Sequence, residues 1–363
     1  MQTPLFFLLC LLPAFVLAQH STDPAADGPY LIYADDGAVT AYWANPEERT
    51  RDAAPLAEVP AALFPHFRPD LLHPDGMFAR DKQIRFGGVD KLAVVSDMHG
   101  QYEVAERLLI ANGIIDEAGH WTFGTGHFVV VGDVFDRGPR VTELLWLVHN
   151  LQQEARAAGG RVHFLLGNHE TMVLSGDLQY INRRYRVTGG LLGRSYEDLY
   201  GPDTYLGRWL RSLPLVVKIN DMVFVHGGLS RDVIKQTGSL DSINNLYHKY
   251  LLGQSKASAT AASERLALLK GRTGPLWYRG YFHDADFTQR DIDRILKLVG
   301  AERMVVGHTS FTAISSFFNN RVLAVDSSMK FGSLGEVLLI ENDTFYRGTL
   351  LGERFELFPS GKK

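Results

Sequence analysis

The sequence predicts an α/β layered fold in which central β-sheets are flanked by helices. Two observations carry that expectation. From residue 92 onward, short apolar and largely β-branched runs alternate with segments of helical periodicity. Five of these runs also end alike, on polar side chains next to glycine: "SDMHG", "GDVFDRG", "GNHE", "HGG" and "GH". The 363 residues are 45% hydrophobic and 21% charged, an ordinary globular balance for a chain of one or two domains.

The chain opens "MQTPLFFLLCLLPAFVLAQH". Its apolar stretch, 5–17, is broken by Pro13 and followed by Ala18, which predicts a signal peptide 1–18 cleaved after Ala18 and a secreted or periplasmic product. The region before it carries no Lys or Arg. A membrane anchor is the competing reading, but the run is shorter than the ~20 residues a span needs, so no stable membrane association is expected. Cys10, the only cysteine, falls inside this leader. A mature chain without it excludes disulfides, thiolate nucleophiles and Cys-zinc sites. The net charge of −4, with no basic block, disfavours a nucleic-acid partner.

Residues 19–90 read as an N-terminal extension. Within it "YLIYADDGAVTAYW" alternates around Asp36-Gly37, a hairpin signal, and "FPHFRPDLLHPDG" is loop-like. Strands are expected at 92–95, 128–131, 162–166, 222–225 and 304–306. Helices are expected at 102–111 ending near Gly113, at 141–158 ending at Gly159-Gly160, and at 287–299 ending at Gly300. The last carries Ile292, Ile295, Leu296 and Val299 on one face. Later strands at 322–325, 337–340 and 344–347 are expected as antiparallel meanders. Helical or loop insertions at about 171–215 and 240–275 are expected near the site. The whole of 91–350 reads as one domain, followed by a tail, 351–363.

In open α/β folds, ligands bind beyond the carboxyl ends of the strands. That edge would receive Asp97 and His99, then Asp133, Asp136 and Arg137, then Asn168 and His169, then His226, then His308. Taken singly, such an Asp is usually a helix N-cap and such a His a hydrogen-bonded surface residue. Taken together, two Asp, one Asn and three His suit a pair of hard to borderline cations.

Asp-x-His-Gly (97–100), Gly-Asp-x-x-Asp-Arg-Gly (132–138) and Gly-Asn-His-Glu (167–170) resemble the three signature blocks of the phosphoprotein-phosphatase branch of the calcineurin-like metallophosphoesterases. His226-Gly-Gly and Gly-His308 resemble its two later histidine blocks. The resemblance runs from about residue 91 to 328, with 36 residues from Asp97 to Asp133 and 35 more to Asn168. There are departures. Leu166 stands where the familiar eukaryotic enzymes carry Arg. "AVDSSM" (324–329) replaces their Ser-Ala-Pro-Asn-Tyr, and "GPLWYRG" (274–280) matches neither block. With the leader, these features resemble the Shewanella-like protein phosphatases, a group that includes tyrosine-phosphatase activity.

The resemblance implies a calcineurin-like layered fold and two divalent or trivalent metal ions, with Mn²⁺, Fe/Zn and Fe/Mn pairs all open. One ion would be held by Asp97, His99 and Asp133, the other by Asp133, Asn168, His226 and His308. His169 would be the general acid, oriented by Asp136, and Arg137 and Arg279 would bind phosphate. The plainer reading of Asp136 is a pair with Arg137; that of Arg279 is a cation stacked on Trp277 or Tyr281. Glu170 is expected in the acidic first turn of the next helix. The remaining histidines are expected outside the site, with His163 in a core or an interface. The implied activity is hydrolysis of a phosphorylated protein or small phosphomonoester, with phosphotyrosine or mixed specificity. A diadenosine-polyphosphate hydrolase and a silent exported phosphate- or partner-binding protein are the alternatives. The Asp136-Arg137 pair speaks against the first, and the intact donor set with His169 against the second.

Overall fold

The computed structural model describes residues 26–250 and 263–358. The expected leader and its cleavage point lie outside the described residues, as does part of the expected 240–275 insertion.

Two six-stranded sheets form the body. The first runs β15 (Arg354–Glu356), β14 (Thr344–Thr349), β13 (Glu336–Glu341), β5 (Lys91–Val95), β6 (His127–Val130), β7 (Arg161–Phe164). The second runs β11 (Ser315–Phe317), β12 (Val322–Ala324), β10 (Arg303–Val306), β9 (Met222–Val225), β8 (Val216–Ile219), β4 (Arg85–Phe86). A smaller antiparallel sheet orders β1 (Asp27–Tyr33), β2 (Val39–Asn45) and β3 (Thr50–Pro55).

β5, β6 and β7 are parallel, joined by crossover helices Tyr102–Ala111 and Val141–Ala157. Parallel strands buried on both faces need near-continuous apolar runs, and Leu92–Val95 with Phe128–Val130 are almost wholly sequestered. β9 and β10 are likewise parallel, with helix Gln289–Val299 between them in sequence. That helix begins on a Thr288/Asp291 capping box and ends on Gly300 at φ 62°.

The sequence pattern gave the strands but not how they divide between sheets. The first three polar strand ends belong to one sheet and the last two to the other. One expectation is corrected: β12 is not part of an antiparallel meander but pairs parallel with β10 and antiparallel only with β11. A three-residue apolar strand carries no signal of direction; the partner it meets decides it. β13 and β14 are the antiparallel pair expected.

Residues of the N-terminal extension enter the core. Asp27, in β1, is buried and accepts hydrogen bonds from Thr142 (2.9 Å) and Thr188 (2.6 Å). Beside it Glu143 is also buried, with Arg140 3.4 Å away. Burial first, then the Asp27 charge, lifts the Glu143 carboxyl to about 7 against the pull of Arg140. His163 is buried in β7, its Nε2 3.0 Å from His127 Nδ1 and its ring against Phe86.

Candidate active site

The polar loops after β5 and β6 are stitched together by main-chain bonds. Asp97, His99 and Gly100 donate to the carbonyls of Gly132, Asp133 and Val134, and Gly138 donates back to His99. Gly100 and Gly138 touch so closely that a Cβ on Gly138 would lie 2.5 Å from the Gly100 main chain. Six non-glycine residues here sit in the left-handed region: Asp97, His99, Asp133, Asp136, Arg137 and His308, with φ between 44° and 73°. Such backbones are unfavourable for residues with a Cβ and persist where the surroundings over-determine them.

Glu170 is one reason they persist. It lies in the first turn of helix Asn168–Leu174 as expected, but its side chain turns back. Oε2 accepts from the amides of Gly167 (2.6 Å) and Asp133 (2.8 Å), and Oε1 from Val134 (2.7 Å) and Phe135 (3.2 Å). One buried carboxylate thus ties the second loop to the third. Burial and then Asp133 raise its pKa, while the amide donors pull it down.

Asp133 Oδ2 is the hub of the cluster. Three imidazole nitrogens surround it: His226 Nε2 at 3.2 Å, His99 Nε2 at 3.7 Å and His169 Nε2 at 3.8 Å. Its Oδ1 accepts the His169 amide at 3.0 Å. His99 and His226 each donate Nδ1–H to a backbone carbonyl, Phe135 and Val131, at 2.7 Å. A carbonyl only accepts, so these bonds place a proton on each Nδ1 and turn both Nε2 atoms inward. Asn168 Oδ1 is 2.9 Å from His226 Nε2. Asp97 Oδ2 accepts from the Ser96 hydroxyl (2.5 Å) and the His308 amide (2.9 Å), leaving Oδ1 3.8 Å from His99 Nε2.

Metal-binding capacity follows from the donors. Two groups, His99–Asp133–His169 and Asp133–His226–His308, each place their ligand atoms within 4.8 Å of one another, and Asp133 belongs to both. The buried His308 Nε2 has no hydrogen-bond partner, as a nitrogen reserved for a cation would not. The residues therefore fit a two-cation centre. His169 stands in the first of these groups, while Asp97 keeps Oδ1 free at 3.8 Å from His99 Nε2, within reach of the same cation.

The electrostatics agree. Burial holds the imidazoles of His99 and His308 down, to about 3 and about 2, so both are neutral, the form a metal needs. Burial opposes a charge on His226, but Asp133 outweighs it and raises the ring to about 10. Asp133, despite its burial, is held well below the carboxylate range by His226 and His169. Asp97 goes well above it through burial and the nearby buried Asp326. In the protein alone, then, the His226 proton supplies part of the positive charge that a cation would bring.

His169 differs from the other imidazoles. Its Nδ1 is 2.5 Å from Asp136 Oδ2 rather than on a carbonyl, and burial is outweighed by Asp133 and Asp136 so that its pKa rises. Asp136 is therefore engaged with His169, not with Arg137. The Arg137 guanidinium instead lies 5.5 Å over the exposed ring of Tyr180. Arg279 is half-buried and donates from Nη2 to the His308 carbonyl at 3.3 Å. Trp277 meets the His308 ring edge-on at 5.4 Å. Sequence reasoning missed Ser96, Asp326 and Tyr180. It read Glu170 only as a helix-start residue, although its place in Gly-Asn-His-Glu was the available signal.

This arrangement belongs to a known class of metal-dependent hydrolases. The calcineurin-like phosphoesterase family matches residues 91–310, and the chain is a member of it and a hydrolase. A crystal structure of a cold-active protein-tyrosine phosphatase from a psychrophilic Shewanella species superposes with a TM-score of 0.82. It is 41% identical and covers 92% of this chain and 99% of its own. Shewanella-like protein phosphatase 2 of Arabidopsis thaliana is 27% identical over 315 residues, 73% of this chain and 78% of that protein. Shewanella-like protein phosphatase 1 of Plasmodium berghei is 28% identical over 250 residues, 66% of this chain and 67% of that protein. Metal ions are part of this family's chemistry, and the donor set above is suited to them.

Proposed function

We propose that this protein is a phosphatase for phosphorylated proteins, with phosphotyrosine its preferred substrate. The Shewanella tyrosine phosphatase supports this through similarity over nearly the whole chain. The observation that carries the reaction is the His169–Asp136 pair at the border of the donor cluster. Asp97, His99 and Asp133 would hold one cation and Asp133, Asn168, His226 and His308 the other, with Mn²⁺, Fe/Zn or Fe/Mn as candidates. Bound cations supply Lewis acidity to phosphate oxygens and lower the pKa of water.

The chain's own residues do the rest. Arg137 and Arg279 bind the phosphate oxygens, Arg137 from the exposed side and Arg279 from beside His308. Water gives one proton to solvent as its oxygen joins phosphorus and the P–O bond to the leaving group breaks; solvent later returns a proton to His169. His169 gives its Nε2 proton to that departing oxygen, and Asp136 stabilises the imidazolium and keeps Nε2 aimed inward. We also propose export, on the apolar run 5–17 and the small residue Ala18.

The test is turnover of phosphotyrosine and phosphoserine peptides and of diadenosine tetraphosphate by Mn²⁺-loaded protein, wild type and His169→Asn. Preferred phosphotyrosine hydrolysis, lost by about 10²–10⁴-fold in the variant with metal content retained, is expected. Preference for the dinucleotide, or wild-type turnover in His169→Asn, overturns the reading.

A further inference from the structure

Among the described residues Tyr180 is one of three exposed large aromatic side chains, at 42%, and it stands at the reacting centre. Its ring centroid is 5.3 Å from that of His169, tilted by 50°, and the Arg137 guanidinium lies 5.5 Å over it. It therefore neighbours both the proposed proton donor and the proposed phosphate-binding cation.

Tyr180 is held there. Its carbonyl accepts the Arg137 amide at 3.1 Å. Two residues on, Asn182 donates from Nδ2 to the Arg137 carbonyl at 2.8 Å, while its Oδ1 caps helix Arg183–Leu192 at the Arg184 amide (3.0 Å). Between them Ile181 is buried. The segment is pinned to the loop that supplies Asp136 and Arg137, so the Tyr180 main chain has a fixed place.

The leaving oxygen must come within hydrogen-bond reach of His169 Nε2. Whatever is bonded to that oxygen then passes beside the His169 ring, where Tyr180 stands. In a phosphotyrosine residue the next group is an aromatic ring; in phosphoserine it is a single methylene that leads at once to the main chain. Only the first offers a face or edge for Tyr180, in the offset or edge-to-face contact that aromatic pairs favour.

We propose that Tyr180 is a specificity-determining residue, an aromatic wall that selects aryl over alkyl phosphomonoesters. The proposal rests on the phosphatase reading above and adds the residue that sets its substrate class.

The test compares kcat/KM for phosphotyrosine and phosphoserine peptides of one sequence, using metal-loaded full-length wild type, Tyr180→Ala and Tyr180→Phe. In Tyr180→Ala the phosphotyrosine-to-phosphoserine ratio is expected to fall about five-fold, chiefly through the phosphotyrosine KM, the scale of one aromatic pair. Tyr180→Phe should restore it, because the ring and not the hydroxyl makes the contact. Equal loss on both peptides would mean that Tyr180 serves only to place Arg137, and the proposal falls; an unchanged ratio also overturns it. If wild type turns over neither peptide, the phosphatase reading itself fails and takes this proposal with it. Turnover of both with Tyr180→Ala indifferent removes the Tyr180 assignment alone.

Discussion

Glu170→Gln is a sharp test of how this site is held. The substitution keeps the size of a side chain that is fully buried and turns one carboxylate oxygen into an amide donor. Each oxygen accepts two backbone amides, Gly167 and Asp133 on one, Val134 and Phe135 on the other. The new amide group can face either pair, and it will face the pair at 2.7 and 3.2 Å, the looser one. Two buried N–H groups then lose their acceptor and meet a donor, at ~1–3 kcal/mol each. The two surviving bonds also lose the strengthening that charge gives. Removing a charge beside Asp133 offsets part of this, leaving about 3 kcal/mol. At roughly 2.1 cal/mol/K of unfolding entropy per residue over this length, Tm falls by about 4 °C. The loop carrying Asp133 loosens with it, so cation content should fall as well. Scanning calorimetry and elemental analysis of wild type and variant measure both. A Tm within about 1 °C of wild type, with full metal content, would show that Glu170 is only the helix-start residue its position suggests.

Two further outcomes follow from the same packing. Gly132→Ala puts a Cβ 2.6 Å from the Gly167 nitrogen and 2.9 Å from His226 Nδ1, at φ 82°; a loss of about 2–4 kcal/mol by denaturant titration is expected from overpacking and the left-handed backbone together. Glu143→Gln tests a pH effect. A carboxyl raised from 4.5 to about 7 in the folded state stabilises fully below pH 4.5 and loses that stabilisation as pH rises through 7, a swing of roughly 3 kcal/mol. Wild type should therefore weaken relative to Glu143→Gln between pH 4.5 and 7.5, and parallel denaturation profiles for the two would count against it.

Much of this was legible in the chain because local pattern is strong where strands are buried. Lys91–Val95 and Met222–Val225 are apolar throughout or nearly so, and the donors follow at once. Gly159-Gly160 and Gly300 marked helix ends. What stayed hidden depends on partners distant in sequence. Nothing near Val322 says that it will lie parallel to Met304. The place of Glu170 in Gly-Asn-His-Glu marks it out, but only the fold brings its oxygens to residues 133–135. Asp326 sits in a stretch that departs from the family pattern, and only the fold brings its charge close to Asp97. Tyr180 lies outside every motif, and only the fold sets its ring beside His169.

The donors rise from two separate sheets, and Asp97 and Asp133 each reach across to a histidine of the other. Slippage between the slabs by even one strand residue, roughly 3.3 Å, would pull the halves of the centre apart. Its dimensions are accordingly a property of the whole joint. A substitution far down that seam would therefore act on the centre without touching any of its donor side chains.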